Sequence, residues 1–171
     1  MAPIRQRESS RATRRTTTHT VTINAAFLQE IKEVHVELWN ALDQIRAFAT
    51  CSDWNDLACQ RLVKSLESFR DLLNLCFRLE DDYGYFDDPV YVDARFSNRV
   101  GRLRAEHQTL YAEITRIGHH AERLLYNGRL SESVQGILSR LAAFFDQLEQ
   151  HETREKELIT EAFTHEVGCG D

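Results

Sequence analysis

Residues 148–158 read Leu-Glu-Gln-His-Glu-Thr-Arg-Glu-Lys-Glu-Leu. The fold turns on why His151 and Glu155 stand where they do. Val134, Ile137, Leu141, Phe144, Leu148, His151, Glu155, Leu158 and Ala162 follow one another in steps of three and four. Such steps lay one continuous stripe along a helix. His151 and Glu155 therefore occupy positions aimed at a core, one helical turn apart, where an unpaired charge is expensive. They need partners from other segments.

Three earlier segments carry the same pattern. The first runs through Leu28, Ile31, His35, Leu38, Leu42, Ile45 and Ala49. The second takes in Leu62, Leu66, Phe69, Leu73, Cys76 and Glu80, and the third Val100, Leu103, His107, Leu110, Ile114, Ile117, Ala121 and Leu124. Four amphipathic stripes joined by short breaks predict an all-α fold, an antiparallel up-down four-helix bundle. The breaks support this. Ser52-Asp53 can cap a helix start, Asn127-Gly128 suits a helix end, and Ser131 can cap the fourth helix with Glu132 in its first turn. A longer loop is expected around residues 82–93, which contain Gly84 and Pro89.

Composition agrees. The chain has 171 residues, 42% hydrophobic and 28% charged, with two prolines and seven glycines. That size suits one domain with a substantial core, and so few breakers favour long helices. No stretch reaches the ~18 apolar residues of a membrane helix, and no signal-peptide core follows the N-terminus. The expected setting is cytoplasmic, without membrane contact. The cysteines Cys51, Cys59, Cys76 and Cys169 form no CxxC pair and read as reduced thiols. Residues 1–20 hold five arginines against one glutamate, a balance of +4 that leaves −10 for the rest. Residues 1–22 form a basic arm without apolar periodicity, expected to be disordered. It has no interleaved aromatic residue, so a solvated tail is favoured over nucleic-acid contact. Residues 23–165 would be the bundle, and 166–171 a C-terminal tail.

The polar residues in the stripes can be levelled. His107 lies 20 residues before Asn127, and His151 lies 20 after Ser131, so the two should share a height. His35 and the pair Cys76 and Glu80 should lie at the same end, but His35 to Thr50 is 15 residues while Ser52 to Cys76 is 24. The mismatch closes if the second helix begins near Asp56 or Leu57, with residues 51–55 as loop. His35, Glu80, His107, His151 and Glu155, with Cys76 beside them, then form one layer able to hold metal. Carboxylates suit hard iron or manganese, and imidazole suits iron, copper or zinc. The alternative is a buried hydrogen-bonded network without metal.

The His of Glu-Val-His35-Val-Glu-Leu, the His151-x-x-x-Glu155 pair and the carboxylate ending the second helix resemble the hemerythrin-like (HHE cation-binding) family, over residues 27–163. The acidic, glycine-containing end (residues 166–171) also looks like bacterial relatives. The resemblance implies a four-helix bundle holding a non-haem di-iron centre that binds oxygen reversibly or serves iron, oxygen or nitric oxide sensing and handling. It makes His35, Glu80, His107, His151 and Glu155 ligands of two irons, with a single ion or zinc as alternatives. Two departures stand out. The family's second helix usually carries His-x-x-x-Glu, whereas this chain has Cys76-Phe-Arg-Leu-Glu80. The oxygen carriers have two histidines four apart on helix three, whereas His107 is followed by Tyr111; a single third-helix histidine is similar to the family's iron-sensing branch. Cys76 could ligate, tune a potential, sense redox state or fill space, with space-filling leading. Tyr111 and Trp39, one turn after His107 and His35, are candidates to line the site, though packing is the commoner role. His119, His120, His165 and Cys169 are assigned no role.

Three functions follow in order. The first is a binding or sensing protein for oxygen, nitric oxide or iron. The second is a metal-free or single-metal interaction scaffold whose hemerythrin site has decayed at Cys76. The last is a di-iron oxidase or oxygenase, disfavoured because no histidine has a Glu three residues before it. No serine elbow or glycine-rich phosphate loop supports another enzyme, and the expectation is a non-enzyme.

Overall fold

A computed structural model describes residues 25–82 and 96–167, and the side chains of residues 32–82, 96–162 and 164. The expected arm, most of the expected 82–93 loop and the last four residues lie outside the described residues. Four long helices follow one another: α1 (Ala25–Ala47), α2 (Asp56–Asp82), α3 (Ser97–Tyr126) and α4 (Leu130–Val167). They pack as a four-helix bundle, α1 on α2, α2 on α3 and α3 on α4. Side-chain pairs show the antiparallel running. Arg140 of α4 reaches Glu113 of α3 at 3.0 Å, while Arg99 near the start of α3 pairs with Glu161 near the end of α4. None of the described helices is long and apolar enough to cross a membrane.

The stripes became the core. Every member from Leu62 to Glu80 in α2, and from Val134 to Ala162 in α4, is buried. Phe69 of α2 meets Phe144 and Phe145 of α4 edge-on at 6.1 and 5.7 Å, the T-shaped arrangement that aromatic quadrupoles favour. Each such fully buried ring contributes about 2 kcal/mol of transfer free energy. Past the polar residues a second, separate cluster forms from Phe96, Val100 and Leu103 of α3 with Leu158 and Ala162 of α4. The polar layer is therefore bounded by apolar packing on both sides along α3 and α4.

The helix ends depart from the expected caps in three places. α1 stops at Ala47 and continues as one 3₁₀ turn, Phe48–Thr50, so Ala49 is exposed rather than part of the stripe. Ser52-Asp53 does not cap α2. Asn55 does, its Oδ1 accepting the Ala58 backbone N–H at 3.0 Å, with Asp53 Oδ2 accepting from Asn55 Nδ2 at 2.9 Å. Residues 51–55 are thus the link that levelling His35 with Cys76 required. Ser131 does not cap α4 either: the helix opens at Leu130, which is buried in the core, so Ser131 already lies inside the first turn. The α3 end behaves as expected, with Gly128 at φ 65° turning the chain after Tyr126.

Candidate metal centre

Helix geometry alone sets Cys76 above Glu80 on α2 and His151 above Glu155 on α4, each pair one turn apart on the inward face. α1 and α3 each add an inward histidine at the same level, His35 and His107. All six side chains meet. His35 Nε2 lies 2.8 Å from Glu80 Oε1, and Cys76 Sγ donates to the same oxygen at 3.4 Å. Across the bundle His107 Nε2 and His151 Nε2 each lie 3.0 Å from Glu155 Oε1. The two sets touch where His107 Nε2 comes within 3.5 Å of Glu80 Oε2. The expected common height of His107 and His151 holds, their rings lying 4.8 Å apart.

Three participants escaped the sequence reading. Glu152 is buried in the layer beside Glu80 and Glu155. It lies four residues after Leu148 and three before Glu155, so the stripe itself could have flagged it. Asp81 Oδ1 lies 3.1 Å from His107 Nδ1, and Glu106 Oε2 lies 2.9 Å from His151 Nδ1 while accepting from Arg154 at 2.7 Å. A carboxylate behind the outer nitrogen of an imidazole fixes the ring and turns Nε2 toward the centre. Phe77 stacks on His107 at 4.0 Å and 9°, and meets His151 edge-on at 5.7 Å, walling that side with carbon. Trp39 and Tyr111 are half-buried and pack against the apolar core; neither hydrogen-bonds a member of the layer among the described residues. His119 is exposed, and His120 stands near Arg140, both away from the layer.

The electrostatics are those of crowded acids in a dry place. Burial pushes the Glu80 carboxyl above its usual range, against the pull of His35 and His107. Burial likewise raises Glu152. Burial would also raise Glu155, yet its contacts with His107 and His151 hold it below the usual range. Burial alone would lower His151 and His35, but the hydrogen-bonded carboxylates win and both imidazoles are raised. Burial pushes the Cys76 thiol far up, with Glu80, Glu152 and Glu155 adding to it.

Within the described chain the layer does not satisfy itself. Glu80 Oε2, Glu152 Oε1 and His151 Nε2 are buried and make no hydrogen bond. The His151 Nε2 approach to Glu155 is close but poorly aimed. Each such atom costs about 1–3 kcal/mol when left unpaired. A cation would relieve all three. Three groups of ligand atoms, each within 4.8 Å of one another, could hold a metal ion: His35, Cys76 and Glu80; His107, His151 and Glu155; and Glu80, Glu152 and Glu155. Two ligands on opposite sides of one ion stand about 4 Å apart, so small side-chain rotations suffice. The buried His and Glu residues fit a metal.

Comparison with protein-family models, with curated proteins and with solved structures finds no match to the chain. The functional reading therefore rests on the residues.

Proposed function

We propose that the layer is a non-haem iron centre of hemerythrin-like type, holding two ions, in a protein that binds, senses or handles oxygen, nitric oxide or iron. One observation carries this reading. Glu80 and Glu155 each belong to two of the three ligand groups, so the Glu80, Glu152 and Glu155 set joins two separate His-containing halves. Carboxylates shared between neighbouring positions are what a pair of cations needs to sit close together. The donor set, nitrogen and carboxylate oxygen, suits iron. Bound iron would supply a redox-active centre with affinity for oxygen and nitric oxide.

The chain's own residues supply the rest. His107 and His151 are held in one orientation by Asp81 and Glu106. Phe77 and the Phe96, Val100, Leu103, Leu158 and Ala162 cluster keep water from the α3 and α4 side. His35, 21% exposed at its side chain, marks the side from which a small molecule reaches the layer.

A metal-free interaction bundle is the second reading, supported by the His35–Glu80 and His107–Glu155 hydrogen bonds, which pair these groups with one another directly. Metal analysis decides between the two. Protein purified from iron-replete cells should contain about two irons per chain. Its ultraviolet-visible spectrum should change on adding dithionite, and its melting temperature should fall with chelator. Protein without metal and without affinity for ferrous iron would leave the scaffold reading standing.

A further inference from the structure

The two halves of the layer are related atom by atom. In the α1–α2 hairpin, the first helix gives His35 and the second gives Cys76 and Glu80 one turn apart. In the α3–α4 hairpin, the first helix gives His107 and the second gives His151 and Glu155 one turn apart. In each half the first helix's imidazole Nε2 meets Oε1 of the second helix's carboxylate, at 2.8 Å in one and 3.0 Å in the other. In each half the residue one turn earlier brings its heteroatom to that same oxygen: Cys76 Sγ to Glu80 Oε1 at 3.4 Å, and His151 Nε2 to Glu155 Oε1 at 3.0 Å. Cys76 thus stands where His151 stands.

We infer that Cys76 is a metal ligand, its sulfur completing the His35, Cys76 and Glu80 half as His151 Nε2 completes the other. The inference rests on the metal-centre reading above and assigns the one side chain that reading leaves open. A second observation points the same way. Glu80 is fully buried, and its Oε2 makes no hydrogen bond although His107 Nε2 lies 3.5 Å away, so the carboxylate that Cys76 meets through Oε1 keeps an unsatisfied acceptor. Sulfur, imidazole nitrogen and carboxylate oxygen together suit ferrous iron, cobalt or zinc. As the metal–sulfur bond forms, the S–H bond breaks and one proton passes to solvent. The metal's oxidation state is unchanged.

The consequence is an uneven pair of positions, one with a soft donor and one without. Cobalt(II) is the probe, because sulfur ligation gives a near-ultraviolet charge-transfer band that nitrogen and oxygen ligands do not. The full chain titrated with cobalt should show this band. The triple variant C51S/C59S/C169S, which keeps Cys76 alone, should show it undiminished. C76S and C76A should lose the band, and C76H should lose it while still taking up cobalt, with circular dichroism confirming helix content. Cobalt uptake without the band in the unaltered chain, or a band that survives C76S, overturns the inference and leaves the metal centre standing. Uptake of neither cobalt nor ferrous iron overturns both.

Discussion

The α1–α2 hairpin and the α3–α4 hairpin bring equivalent groups to the layer, yet they hold them differently. In the α3–α4 half both imidazoles are buried and each has a carboxylate behind its outer nitrogen, Asp81 for His107 and Glu106 for His151. In the α1–α2 half His35 is partly open to solvent, hydrogen-bonds only Glu80 among the described residues, and shares that carboxylate with a thiol. One half is nitrogen-rich, buried and backed by carboxylates, and the other is more open and includes a thiol. The difference teaches that donors in equivalent positions need not be equally supported, because the groups behind them differ.

The largest effect should come from the carboxylates at the centre of each half. Glu155→Ala leaves His107 without its Nε2 partner and His151 without its neighbouring carboxylate inside the core. It should abolish metal uptake and cost the metal-free protein about 3 kcal/mol in urea unfolding. Glu80→Ala should cost less, about 1 kcal/mol, since burial already favours its neutral form and His35 can turn to water. Equal losses would erase the contrast between the halves. Next come the residues behind the imidazoles. Glu106→Gln should weaken metal binding about tenfold with the fold intact, read by competition with a chelator.

A gentler effect is the pH trend of the metal-free chain. Glu80, Glu152, His35 and His151 all have raised values, so the folded state binds more protons than the unfolded state. Stability should therefore fall as pH rises from about 5 to about 8. The lowered Glu155 works oppositely, but its contribution is lost only as pH falls through its folded value, on the acid side. Metal takes the place of those protons, so loaded protein should show a flat or rising profile in thermal melts. The smallest effect should be at the outer seam between α1 and α4, where Arg46 pairs with Glu149 on the surface. Arg46→Ala should change stability by about 0.5 kcal/mol or less.

Much of this contrast was legible in the chain. Alternating steps of three and four mark four helices, and counting from Asn127 and Ser131 alone sets His107 level with His151. Levelling His35 required the α2 start at Asp56, which the structure has. The misses share a physical cause. Asp81 and Glu106 sit at the edge of their stripes, about a third exposed, and their roles depend on a neighbouring helix that periodicity does not describe. Ser131 is not the cap because α4 begins one residue earlier, at the buried Leu130, and such one-residue shifts at helix ends are not legible from periodicity. Glu152 holds a stripe position, four after Leu148 and three before Glu155, but the charged run around it reads as a solvated face.

The small cluster of Phe96, Val100, Leu103, Leu158 and Ala162 is the only apolar packing beyond the layer among the described residues of α3 and α4. Five apolar side chains bury far less surface than the main core, so the end of α4 beyond Glu155 should open many times while the helix around Leu148 stays shut. Amide hydrogens past Leu158 should then exchange ahead of those near Phe144. Such openings would be confined to one helix end, with access past His35 unchanged and the rest of the bundle holding its register.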